Sequence, residues 1–180
     1  CDQNMSILYE TNFKKKIYNN IYTLLYKSVV KRMDCERSMC CLLSGGLDSS
    51  IIVSLMCKMM KPNHIKTFSI GFKGSPDLLA AEQVATYLGT NHTSVVVSEQ
   101  EMLEAIEPTI KQIESYDTTT VRASVGNYLI GKYIKEYSDC KVIFNGDGAD
   151  ELMGGYLYFK MAPNAYEFDK ECRRLLQDIH

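Results

Sequence analysis

The chain has 180 residues, 46% of them hydrophobic and 23% charged, with a formal net charge of -2. That length suits one domain with a sizeable core, which at this size buries about 70% of the unfolded surface. The charge excludes a general nucleic-acid binder, which is usually basic. The apolar runs are too short for a membrane span, and no basic-then-apolar leader is read at the start.

Phe13, Ile17, Ile21, Leu24, Leu25 and Val29 recur at three-to-four spacing and predict an amphipathic helix over about 11–33. A strand is expected at about 39–43. A glycine turn follows, then a helix running to about Met60 that Pro62 ends. Ile65–Gly71 reads as a second strand. Ser75 and Pro76 are placed to cap and open a helix that runs to about Leu88, with Gly89 as its stop. The β-branched stretch Thr93–Val97 predicts a third strand. Ser98 and Glu101 form a capping box for a helix over about 99–113. A polar segment, Ser115–Thr120, precedes a helix from about Arg122 to Tyr137. Lys141–Asn145 is the fourth strand, and a glycine-rich segment over 146–155 follows it directly. A last helix is expected over 164–180, starting on Asn164 with Glu167 three residues later. Strands that alternate with helices predict an α/β fold, a three-layer open parallel sheet with helices on both faces.

The seven cysteines stand at 1, 35, 40, 41, 57, 140 and 172. Their odd number and the lack of a CxxC pair argue against a disulfide framework or a zinc site. Cys40, Cys41 and Cys140 fall in apolar runs and read as small core side chains, which implies a reducing, cytoplasmic setting.

The densest chemistry lies between Leu43 and Ser50, in Leu-Ser-Gly-Gly-Leu-Asp-Ser-Ser. A strand, a glycine turn and a helix start aim free backbone N–H groups at a phosphate. Gly45 and Gly46 let the main chain approach the ligand, and Ser44, Ser49 and Ser50 add hydroxyl donors. Asp48 beside a phosphate calls for an intervening cation, Mg²⁺ by its hard-oxygen preference. The Walker pattern needs Lys-Ser/Thr after the glycine and does not fit. The dinucleotide fingerprint is also absent. The bland alternative is a glycine turn capping an ordinary helix. In the second glycine-rich segment Asp147, Asp150 and Glu151 crowd within five residues. Such carboxylates repel unless a cation or donor compensates. A solvated acidic turn is the alternative there.

The Ser-Gly-Gly-x-Asp-Ser loop is joined in order by Gly74-Ser75-Pro76-Asp77, Glu114 to Ser124 with its Thr-Thr-Val-Arg-Ala-Ser, Gly148 to Glu151, Gly154 to Phe159 and Ala162 to Ala165. Together these motifs resemble the synthetase domain of glutamine-dependent asparagine synthetases, over about residues 40–180. The resemblance implies a Rossmann-like fold of the adenine nucleotide alpha hydrolase type. It implies ATP and Mg²⁺ as cofactors, aspartate and ammonia as substrates, and β-aspartyl-AMP as the intermediate. It also implies a separate glutaminase domain as partner and leaves room for a homodimer. On this reading residues 1–37 are an N-terminal segment and helix packed on the ATP-binding synthetase domain, 38–180. Leu43, Ser44, Gly45, Gly46, Asp48, Ser49, Ser50, Ile70 and Gly146 would bind ATP, with core packing the plainer role for Ile70. Asp48 and Asp150 would hold the metal. Asp147, Arg122, Thr119 and Thr120 would serve the reaction, although Arg122 can also be read as a surface arginine at a helix start. Another adenylating amide ligase, of β-lactam synthetase type, and a non-catalytic ATP-binding module are the competing readings.

Three positions of the second glycine-rich segment depart from the family pattern. Asn145-Gly146-Asp147-Gly148-Ala149-Asp150-Glu151 stands where the family has Ser-Gly-Glu-Gly-Ser-Asp-Glu. Asp147 therefore replaces a glutamate thought to act as general base, with one methylene less reach. Ala149 lacks a hydroxyl. Cys1 is followed by Asp2 rather than glycine and reads as a sequence boundary, not as a nucleophile. The family's phosphate-binding lysine lies farther on than His180, so a fragment of a longer protein is expected.

Overall fold

Four short runs of apolar and β-branched residues pair side by side as parallel strands: β1 (Met39–Leu42), β2 (Lys66–Gly71), β3 (Asn91–Val96) and β4 (Val142–Phe144). The computed structural model describes residues 2–178, with side chains from Thr11 onward. Strand order is β3-β2-β1-β4, and Cys41 lies in register with both Thr67 and Phe144. The chain thus builds outward from β1 to β3, then returns to set β4 on the other side of β1. That reversal opens a crevice at the carboxyl ends of β1 and β4.

Side chains alternate across a strand, so each strand feeds two cores. Cys41, Leu43 and Ile65 pack with Val29 of α1 (Asp2–Met33), Val53, Leu55 and Met56 of α2 (Leu47–Cys57), and Ala81 and Ala85 of α3 (Pro76–Leu88). On the opposite face Cys40, Phe68, Val95 and Val97 pack with Ile130 and Ile134 of α6 (Thr118–Tyr137). Between α3 and α6 come α4 (Glu99–Glu104) and α5 (Ile106–Ile113). After β4 come α7 (Ala149–Met153), a 3-10 turn at Leu157–Met161, and α8 (Ala165–Asp178). The sequence expectation of a parallel sheet with helices on both faces holds.

The caps formed as expected. Ser75 Oγ accepts from Leu78 N at 3.4 Å and Gly89 takes φ 75°. The Ser98–Glu101 box closes reciprocally, and Asn164 Oδ1 accepts from Glu167 N at 3.0 Å. Other boundaries moved. The helix expected over 99–113 is two helices, because Pro108 has no N–H to give Glu104 and its ring meets that carbonyl. Strand β3 starts at Asn91, since parallel pairing with β2 already begins at Lys66. α6 starts at Thr118, capped by Asp117, whose carboxylate accepts from Thr120 N at 2.7 Å. α1 runs back to Asp2, and the stripe read as one buried face divides. Val29 is buried and Ile21 and Leu25 half-buried, whereas Phe13, Ile17 and Leu24 are exposed. Cys1 lies outside the described residues. The other six cysteines are free thiols. Burial pushes the Cys41 thiol up to about 12, and Cys40 is raised further for the same reason.

One polar cluster sits inside the sheet. The His92 ring lies 2.9 Å from Thr67 Oγ1 and 3.1 Å from Ser69 Oγ, with Ser94 Oγ at 3.3 Å. Burial lowers the His92 pKa, and Glu82 on α3 opposes this only in part. The fold therefore favours the neutral ring, and its contribution is complete above the ordinary histidine pKa and lost as pH falls through that range. Denaturant midpoints measured from about pH 8 to about pH 5.5 should fall with acidification, and His92→Gln should flatten that fall.

Candidate functional site

The loop after β1 is braced by its own serines. Ser44 N donates to Ser49 Oγ at 3.2 Å, the Ser44 and Ser49 hydroxyls lie 3.0 Å apart, and Gly46 N donates to Ser44 Oγ at 3.2 Å. Ser49 and Ser50 hydroxyls both donate to Gly46 O, at 3.3 and 2.6 Å. Hydroxyls expected to reach outward are thus spent largely on shaping the turn. Gly46 is the N-cap of α2 and no side chain caps the helix. The first-turn N–H groups have no partner within the helix.

Two glycines are fixed by close approach. Gly45 has φ 80°, and a Cβ there would fall 2.5 Å from the Ala80 carbonyl carbon and 2.6 Å from Ala81 N, inside α3. Gly146, just beyond β4, would put a Cβ 2.9 Å from Ser49 N and 3.0 Å from Asp48 Cβ. The bare main chain of the second loop therefore rests on the first turn of α2.

This contact creates one cavity of about 500 Å³ at the β1/β4 crevice. Of the residues singled out from sequence, Ser44, Asp48, Ser49, Gly146, Asp147 and Asp150 line it. Gly45 and Gly46 shape the same loop without lining the cavity. Ser50 turns to the other side of α2, toward α1 and α3. The Leu43 side chain is buried in the core and Ile70 packs against the opposite one, so neither side chain faces the crevice. Thr119, Thr120 and Arg122 are exposed near the start of α6, outside the lining. The Thr120 hydroxyl is engaged by Asp117 at 2.8 Å, and these bonds hold the Asp117 carboxyl below the usual range. Because α6 starts at Thr118, Arg122 sits beyond the first turn, where the helix dipole has little hold on its charge.

The crevice also takes Glu151 of the acidic cluster, and residues given no role from the sequence: Leu42, Ala123, Asn127, Asn145, Gly148 and Tyr156. Ala123 and Asn127 are four apart on α6, and only the packing of α6 against the sheet brings their face here. The Tyr156 hydroxyl donates to Glu151, and this carboxylate pushes the phenol up to about 12.

Asp48 and Asp150 contribute hard oxygen donors from the first turns of α2 and α7. Neither pairs with a lysine or arginine among the described residues. Among the described residues no group of three or more His, Cys, Asp or Glu side chains gathers to hold an ion by itself. Two carboxylates suit a cation such as Mg²⁺, which takes most of its ligands from phosphate and water.

A family model for asparagine synthase matches residues 20–177. The chain belongs to the asparagine synthase family. The glutamine-hydrolysing asparagine synthetase of Gallus gallus is 46% identical over 168 residues, covering 91% of this chain and 30% of that protein. That of Homo sapiens is 44% identical over the same span. The chain thus spans under a third of the length of these relatives. Among solved structures, an NH3-dependent NAD synthetase from Campylobacter jejuni superposes with a TM-score of 0.50 at 17% identity. It covers 79% of this chain and 60% of that one. At that identity the likeness speaks for the fold of this asparagine synthase domain.

Gly45→Ala tests how the loop is held. It must change a left-handed backbone and push α3 away at once. It should lower the unfolding free energy by about 2–4 kcal/mol, read as a shift of the denaturant midpoint with unchanged slope.

Proposed function

We propose that this domain adenylates the side-chain carboxylate of aspartate with ATP and then passes the acyl group to ammonia, giving asparagine, AMP and pyrophosphate. In the full-length protein ammonia would come from glutamine through a glutaminase domain outside this chain. The observation that carries this reading is that Asp48 and Asp150, in the first turns of α2 and α7 and about a hundred residues apart in sequence, line one cavity at the switch point.

The Ser44–Ser50 loop would receive the β,γ-phosphates on the N–H groups of the first turn of α2. Leu43, Ile70 and Gly146 would border the adenosine through their main chain, since the two larger side chains are committed to the cores. Asp48 and Asp150 would hold Mg²⁺, whose chemistry is to neutralise charge on the departing pyrophosphate. Attack by the aspartate carboxylate oxygen on the α-phosphorus forms the mixed anhydride and releases pyrophosphate with the bonding pair. Thr119, Thr120 and Arg122 would close over this end of the cavity from α6. The Arg122 guanidinium offers a donor fork as negative charge grows on the phosphoryl oxygens. In the second step nitrogen adds to the acyl carbon and AMP leaves. Asp147 would take a proton from that nitrogen. α1 would flank this synthetase domain on the side away from the crevice, through its packing on α2.

Full-length protein supplied with ATP, Mg²⁺, aspartate and ammonia should yield AMP, pyrophosphate and asparagine in equal amounts. ADP as the product overturns the adenylation route, and ATP binding without turnover points to a non-catalytic module. Asp48→Asn should lower pyrophosphate release by about a hundredfold or more, while release at the parent rate removes Asp48 from the metal site.

A further inference from the structure

Asn145 and Asp147 flank Gly146 at the end of β4, and both line the cavity. Asn145 Nδ2 donates to Asp147 Oδ2 at 2.7 Å. A carboxylate can only accept, so the amide nitrogen, not its oxygen, is the atom that faces it. The length is that of a charge-assisted hydrogen bond. No lysine or arginine pairs with Asp147 among the described residues, so the Asn145 amide is the donor the structure gives this carboxylate. The backbone between the two residues is fixed as well, because Gly146 rests against Asp48 and Ser49.

We infer that Asn145 is a positioning residue for Asp147 in the amidation step, an assignment that rests on the function proposed above. Its carboxamide occupies Oδ2 and leaves Oδ1 as the acceptor for the reacting nitrogen. An aspartate reaches one methylene less far than a glutamate and swings on two torsions. Tying one oxygen to the strand end restricts that swing while the other stays open to the cavity. An amide N–H carries no transferable proton at neutral pH, so the tie does not compete for the proton being moved. In the step itself ammonia adds to the acyl carbon, the C–N bond forms, and the C–O bond to the phosphoryl group breaks with its electron pair going to AMP. One proton passes from nitrogen to Asp147 Oδ1, which leaves neutral asparagine.

The test uses the full-length protein with ammonia as nitrogen source and reads the two half-reactions apart. Aspartate-dependent exchange of pyrophosphate into ATP reports adenylation, and asparagine formation gives kcat and the KM for ammonia. Asn145→Ala should lower kcat for asparagine formation about tenfold, the loss expected for one hydrogen bond to a charged group. Exchange should fall far less. Asn145→Asp, equal in size but repelling Asp147, should lose more than Asn145→Ala. In an Asp147→Ala background, Asn145→Ala should cost nothing further. Losses that multiply in the double variant, or exchange that falls as far as amidation, overturn the positioning role and leave Asn145 a wall of the cavity. Absence of aspartate-dependent exchange in the parent protein overturns the adenylation reading itself.

Discussion

Everything at the crevice depends on a contact between two stretches of main chain. Gly146 presents no side chain, so the loop after β4 settles onto the first turn of α2, within 2.9 Å of Ser49 N for a Cβ built there. A larger residue would hold the loops apart, and Asp48 and Asp150 would no longer share a cavity. Gly45 does the same on the other side of the loop, letting α3 press against it. The loop is thus gripped between a helix and a second loop, and its serines tie it internally. Rigid placement of this kind is what preorganised binding of a charged group requires.

The sheet provides the frame for that grip. Its strands are covered on both faces, and alternate residues such as Cys40 and Cys41 enter opposite cores. Two buried faces fix the register, because a slip of one residue would exchange the side chains of both cores. Fixed register sets where β1 and β4 end relative to each other, and so where the two loops begin. The polar patch of Thr67, Ser69 and His92 interrupts this apolar packing but satisfies its own hydrogen bonds. Such a patch can specify pairing between β2 and β3 without leaving a buried group unpaired.

Legibility in the sequence followed the range of the forces involved. Caps at Ser75, Ser98 and Asn164 were readable because they involve residues three apart. α6 starts earlier than the sequence expectation because Asp117 also caps, and a run of threonines resembles a loop on composition alone. The break between α4 and α5 was written in Pro108. The exposure of Phe13, Ile17 and Leu24 on α1 was not readable, because spacing reveals a stripe but not where the surface that covers it stops.

Within the site, the sequence by itself determined the chemical inventory: a glycine turn at a helix start, acidic residues on two loops, and the order of motifs that marks the asparagine synthase family. Only the tertiary structure decided which of these share a space. It brought Asp48, Asp147 and Asp150 to one cavity, added Asn127 and Asn145, and turned the Leu43 and Ile70 side chains into the cores. The reason is that residue type and local spacing act over a few positions, whereas the crevice is made by strand order. Strand order places β4 beside β1 through packing between residues a hundred positions apart.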